Sequence, residues 1–325
     1  MDEPAPTVLP LSGRQFEIGH GAQRATVTEV GATLRAYTVG DEPIIDGFDV
    51  DDMAAGGHGQ ILAPWPNRLG NGRYSFEGQA ERVPLNEPAR ANAIHGLVRW
   101  LTWHPLTFSA DAVTLRCVLQ PQPAYPWRVE VDVEYRVGPT GLSISTSVTN
   151  RSRTRAPFGI GFHPYLTVGT ASVDGAHLRV PGRRRLLTDD QGLPVGDAPV
   201  TGTIYDFTEA RPIADVVLDT AYTDLTRDAD GRAAAILSDP GAARSVTLWV
   251  DAVYRYLMVF TGDTLDPPDR RRRSVAIEPM TCPPDALRSG RDLISLDPGA
   301  IWRGTWGVTP APLTAAPSGA TGAPD

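Results

Sequence analysis

Residues 129–137 read VEVDVEYRV, and their alternation decides the fold. In an extended chain Val129, Val131, Val133, Tyr135 and Val137 fall on one face, and the charged residues between them fall on the other. The same period of two recurs at 142–148 (LSISTSV) and in parts of 113–119 (VTLRCVL), 246–250 (VTLWV) and 255–260 (RYLMVF). The chain holds 32 glycines and 30 prolines, which punctuate these runs with turns. Apolar helical periodicity longer than two turns is hard to find. Many short strands without helical crossovers predict an all-β protein of antiparallel sheets, packed as a sandwich or closed as a barrel. One-sided alternation also means that one face of some sheet meets water or a ligand.

The composition is that of a globular chain. At 325 residues the chain is long enough to bury a large core without staples, and within the range of one large sandwich. Hydrophobic residues make up 41% and charged residues 21%, which excludes a mainly disordered chain, a coiled coil and a collagen. No apolar run approaches the roughly 18 residues of a membrane span, so no membrane partner is expected. The net charge of −8 argues against a nucleic-acid partner, which needs a basic face. All 30 basic residues are Arg, a bias spread along the whole chain and not the mark of one anion site. Two cysteines, Cys117 and Cys282, are too few for a disulfide scaffold, and Met1–Pro4 has neither a basic nor an apolar leader region. A reduced, cytoplasmic protein is expected, with flexible tails at 1–8 and 312–325 around one continuous domain at 9–311. It is expected to be a monomer or a homodimer.

Four segments break the generic pattern. In APWPNRLGNGRYSFEG (63–78), Asn67 and Arg68 sit in a loop stiffened by Pro64 and Pro66. Such a pair suits a polyhydroxylated ligand; it also suits a surface turn with a solvated Arg. In NAIHGLVRWLTW (92–103), His95 precedes Gly96, Trp100 and Trp103, and is either a site histidine or a core one. In APFGIGFHPYL (156–166), a strand would place Gly159, Gly161 and His163 on one face and Phe158, Ile160 and Phe162 on the other. The glycines would then clear floor space beside His163. In SVAIEPMTCPPDAL (274–287), Ala276 and Glu278 share a face, and Pro279 should stop the ladder just after the carboxylate. Glu278 is either aimed into a cavity or lies on an edge strand in water. A fifth, weaker position is Asp219, after the apolar run VVL.

Together these segments resemble the aldose 1-epimerase (galactose mutarotase) family. The matching pieces are Asn67-Arg68 with the downstream Gly-x-Tyr, His95-Gly96, His163-Pro164-Tyr165, Leu218-Asp219, and Glu278 with Pro284-Asp285, in the family's order over about residues 60–290. The resemblance implies a large antiparallel β-sandwich, the "supersandwich", with a monosaccharide such as glucose or galactose on its open concave sheet. It implies that Glu278 is the general base and His163 the general acid. It also implies that Arg68, His95 and Asp219, with Asn67 as a weaker match, position the sugar. The chain departs from the common pattern at Leu97, where many members have a second glycine, and at LTVG after Tyr165. The HGLVRW stretch is closer to bacterial members.

The implied chemistry fits these residue types. Interconverting α and β anomers of a free aldose requires a proton removed from the C1 hydroxyl and one delivered to the ring oxygen. A carboxylate near its usual pKa of about 4.3 accepts the first, and a histidine near about 6.5 donates the second. No cofactor and no metal are required, and no Gly-rich phosphate loop is present. Trp65 and Trp127 are candidates to stack on the sugar. Competing readings are a sugar-binding protein without turnover, and a hexose-6-phosphate epimerase whose phosphate would need Arg183–Arg185 or Arg270–Arg273; both runs are otherwise expected on solvated loops. A metal site of His95, His163 and Glu278, and a glycoside hydrolase using Glu278 with Asp219, complete the alternatives.

Overall fold

A computed structural model describes residues 8–312. Apart from Val8 and Pro312, the tails expected at 1–8 and 312–325 lie outside the described residues. Among those residues the chain is almost entirely strand, and the one α-helix is the single turn Ala286–Ser289.

Two large antiparallel sheets carry the structure, one of twelve strands and one of nine. The decisive stretch is the Val129–Gly138 strand of the nine-stranded sheet, paired with Ala112–Leu119 and Gly141–Asn150. Its alternation is realised: Val129, Val131, Val133, Tyr135 and Val137 are buried while the charged residues between them keep some exposure. One hydrophobic core takes residues from both sheets, among them Val27 and Ile277 from the first and Val133 and Leu248 from the second. Tyr135 reaches out of its sheet to donate a hydrogen bond to the Ala32 carbonyl at 2.7 Å. This is the large antiparallel β-sandwich that the sequence predicts.

The twelve-stranded sheet differs from its partner in what covers its outer face. The Val275–Met280 strand lies inside it, between Tyr256–Phe260 on one side and Gly161–Phe162 with Tyr165–Leu166 on the other. Val275 and Ile277 point into the shared core, whereas Ala276 and Met280 join small apolar clusters separate from it. Every residue of this strand is buried. Glu278 is therefore not on an edge strand in water. Nor does Pro279 stop the ladder: it pairs with Leu257, and Met280 continues to Tyr256. A proline fits here because Tyr256–Phe260 holds the strand from one side, and on the other side the pairing is broken between Ala276 and Met280.

Both cysteines are buried free thiols, and burial pushes each up to about 12.

Candidate active site

The Asn67-Arg68 loop is fixed by three short pairings. The Arg68–Gly70 strand pairs with Asn92–Ile94, so Arg68 lies opposite Ile94. His95 donates its backbone N–H to the Asn67 carbonyl at 2.9 Å, and Leu97 donates to Ala63 at 2.7 Å. Gly96 makes the crossing possible. Its φ is +70°, and a Cβ there would lie 2.0 Å from the Ala63 oxygen. The Pro284-Asp285 segment clamps the far side: the Asp285 carboxylate accepts from Gly70 N–H at 2.9 Å, and Asp285 N–H donates to the Arg68 carbonyl at 2.6 Å.

His163 is held by its backbone, accepting from Gly59 N–H at 2.9 Å and donating to the Gln60 carbonyl at 3.0 Å. The two glycines before it do not clear a floor for a ligand. A Cβ on Gly159 would sit 2.4 Å from Cys282 Sγ, and one on Gly161 would sit 2.9 Å from Pro66 Cβ. They let the loop bearing Asn67 and Arg68 press onto the strand. The space they free is filled by protein.

These constraints gather the candidate residues. His163 Nε2 lies 3.4 Å from Glu278 Oε1. The His95 ring meets the His163 ring edge to face at 5.4 Å. Glu278 lies opposite Met258, which lies opposite Ala221; Asp219 is two residues along from Ala221 on the same face. Arg68 is not a solvated turn residue. Its guanidinium forms a two-pronged pair with Glu87 at 3.0–3.2 Å and stands 3.6 Å from Asp219. Asn67 turns its side-chain oxygen onto the Arg68 N–H at 2.9 Å. A cleft of about 280 Å³ opens beside them, lined by Asn67, Arg68, Arg90, Asp189, Asp219 and Met258 among others. Glu278, His163 and His95 are 2%, 5% and 8% exposed and lie next to the cleft lining, not in it. All six candidate residues thus fall in one neighbourhood, with Asp219 the most open to solvent.

Several polar atoms there are buried without a partner among the described residues: Glu278 Oε2, Nδ1 of both His95 and His163, Gln60 Nε2 and Trp65 Nε1. Such groups are costly to leave unpaired. No set of three His, Cys, Asp or Glu side chains comes together to hold a metal among the described residues. Trp127 packs edge to face against Phe76 and Tyr125 in the core, so it is not placed to stack on a sugar.

Charge in the site departs from the sequence expectation. Burial raises the Glu278 carboxyl well above its ordinary range; the Asp219 charge adds to this and Arg68 opposes it. Burial lowers His163 to about 3, with His58 and Arg99 acting in the same direction. His95 is lowered by burial and then by His163, Arg99 and Arg68. Neither member of the pair therefore sits near its reference value: burial favours the neutral carboxyl of Glu278 and the neutral imidazole of His163. Burial opposes the charge on Arg68 too, but Asp219 and Glu87 outweigh it and hold it charged.

Sequence reasoning passed over Glu87, His58, Gln60 and Arg99, which surround these residues. Gly56-Gly57-His58-Gly59 was the available signal for the second and third, since all three glycines adopt positive φ in the loop wrapped around His163. Of the two Arg runs, 270–273 lies in a turn with Arg271 and Arg273 exposed, as expected of a solvated loop, whereas 183–185 lies on a strand. Arg183 and Arg184 lie on the Gly182–Thr188 strand, paired with Asp224 and Asp197. Arg272 pairs with Asp174 and Asp263, and Arg270 lies 3.7 Å from Asp46.

Comparison with known proteins bears on the family and the fold. The family model "Aldose 1-epimerase" matches residues 14–309. The uncharacterized protein YihR of Escherichia coli (strain K12) is 33% identical over 294 residues, covering 90% of this chain and 92% of that protein. The GalM/aldose epimerase homologue from C. elegans superposes with a TM-score of 0.83 at 20% identity, over 93% of this chain and 99% of that one. Galactose 1-epimerase from Lactobacillus acidophilus NCFM superposes with a TM-score of 0.75 at 18% identity, over 90% and 92%. At these identities the structural likeness shows a shared fold.

Proposed function

The chain belongs to the aldose 1-epimerase family, and from that premise we propose that it is a mutarotase acting on a free aldose by acid–base ring opening and reclosure. The observation that carries the reading is the buried couple of Glu278 and His163, 3.4 Å apart, each with a second polar atom left unpartnered beside the cleft.

One proton within the couple is enough for the cycle. Burial favours that proton on Glu278. Passing it to His163 creates a carboxylate and an imidazolium in place, and Arg68 favours the carboxylate. Glu278 then takes the proton from the C1 hydroxyl while His163 gives its proton to the ring oxygen. The C1–O5 bond breaks and the aldehyde forms. Rotation about C1–C2 turns the other carbonyl face toward the ring oxygen. In reclosure the C5 hydroxyl returns its proton to His163 and the new C1 oxygen takes one from Glu278, and His163 then passes its proton back to Glu278, so the couple ends as it began. No net charge enters or leaves, which suits a site this dry. Arg68, His95, Asp219 and Asn67 hold the hydroxyls, and Arg68 is itself held by Glu87.

The free sugar is favoured over a phosphorylated one because no arginine of the 183–185 or 270–273 runs lines the cleft beside Asn67 and Arg68. A protein that only bound sugar would gain nothing from a dry carboxyl–imidazole couple. Optical rotation of freshly dissolved α-D-glucose and α-D-galactose tests the reading: equilibration should be faster with the protein. Acceleration with glucose 6-phosphate alone would move the assignment to a phosphosugar epimerase. Binding without acceleration of any anomer would make it a sugar-binding protein.

A further inference from the structure

Nothing hydrogen-bonded fixes the plane of the His163 ring. Its Nδ1 is buried without a partner, and its Nε2 lies 3.4 Å from Glu278, at the limit of a hydrogen bond. An imidazole that must receive and deliver a proton along one line needs its plane set to within about 10–20°. The surrounding packing does this. The Tyr165 ring lies nearly parallel to that of His163, at 5.0 Å and 18°. The His58 ring lies nearly parallel to that of Tyr165, at 3.8 Å and 7°. Each member is tethered: Tyr165 donates its hydroxyl to the Gly56 carbonyl at 2.7 Å, and His58 Nδ1 lies 2.6 Å from the Ala55 carbonyl. At the other nitrogen of His58, Arg270 stands at 3.4 Å and Asp46 at 3.8 Å. Gly57 closes the cage: with φ +83°, a Cβ there would sit 2.6 Å from His163 Cδ2. Ser274 ties Asp46 back to the sheet through a 2.8 Å hydrogen bond.

We propose that His58 is a positioning residue for the acid–base step, acting through Tyr165 to fix the His163 ring in the plane that faces Glu278. This rests on the mutarotase reading in assigning the step, but the geometry of the ring cage stands apart from it. A stacked histidine tied to a backbone carbonyl through Nδ1 is stiffer than an aliphatic residue of similar size. It also closes one wall of a second cleft, of about 320 Å³, lined by Phe48, Asp52, Leu265 and Arg270 among others. Removing the ring would open His163's support toward solvent.

The test compares His58→Ala with His58→Phe in the full chain. His58→Ala should lower kcat about tenfold or more while KM stays within about twofold, because the sugar-holding residues are untouched. His58→Phe keeps a flat ring against Tyr165 and should recover most of kcat. NMR of the imidazole signals gives a readout free of any substrate: the His163 resonances, assigned with His163→Gln, should broaden or double in His58→Ala and be single in the wild type and in His58→Phe. Equal losses in both variants, a rise in KM matching the fall in kcat, or an unchanged His163 signal in His58→Ala would overturn the proposal. A wild-type protein inactive on every aldose, yet showing the expected NMR change, would instead overturn the mutarotase reading and leave the ring cage standing as a support of His163.

Discussion

Replacing Gly161 with alanine tests how the fold delivers Arg68 to the site. The added Cβ would lie 2.9 Å from Pro66 Cβ, 3.0 Å from the Pro279 oxygen and 3.1 Å from Met280 Cγ. Ordinary van der Waals contact between such atoms begins near 3.4–4 Å, so something must move by about 0.5–1 Å. The Pro279 carbonyl belongs to a paired strand inside a sheet. Pro66 belongs to a loop and is the partner free to yield, and it stands two residues before Arg68. Overpacking of this kind costs about 1–3 kcal/mol of stability. A shift of the same size carried to Arg68 and Asn67 should lower kcat/KM on the order of tenfold to a hundredfold. Thermal unfolding and polarimetric anomerisation measure the two effects on one preparation. Gly161→Ala with full activity and an unchanged melting temperature would refute the view that this glycine exists to seat the loop.

Further outcomes follow from charge and burial. Arg68→Met leaves the half-buried Glu87 without its cation and should cost about 1–3 kcal/mol, between an exposed and a fully buried pair, besides raising Glu278 further; denaturant unfolding checks it. Glu278 has a folded-state pKa raised above its ordinary 4.5, so above pH 4.5 the unfolded chain loses a proton that the folded chain keeps, and stability falls as pH rises through that window. Glu278→Gln removes the penalty: the variant should melt higher than wild type at pH 8, and the gain should shrink toward pH 4. His163 is the opposite case. Its pKa is lowered to about 3, so its neutral burial costs stability below pH 6.5, and His163→Gln should resist acid better than wild type between pH 4 and 6. Dialysis against a chelator should leave anomerisation unchanged; loss restored by zinc or iron would contradict a purely acid–base step.

The fold was legible because a period of two survives wherever one face of a strand is wet, as at Val129–Val137 and Leu142–Val148. Where a strand is covered on both faces the period is lost, and Val275–Met280 shows the cost to sequence reasoning. Its proline reads as a stop, yet it lies within the ladder, because pairing on one side suffices. Gly159 and Gly161 were legible as places of close approach, but the approaching group was Pro66 and Cys282, not a ligand. Nothing local distinguishes the two. His163, Glu278, Arg68, His95, Asp219 and Asn67 could be picked out because each carries an ill-fitting residue or a family motif. Their charge states could not, since reference values hold only in water and Glu278 is 2% exposed. Glu87, Gln60 and His58 were missed because their roles arise from contacts across the fold.

The central claim, that Glu278 and His163 form one acid–base couple, is tested most directly by anomer exchange measured for Glu278→Gln, His163→Gln and the double variant. Sugar binding to the same samples should be followed by calorimetry. The account predicts that each single variant loses nearly all turnover, that the double variant loses little more, and that all three still bind the sugar. Substantial turnover in either single variant, or losses that multiply in the double, would contradict it.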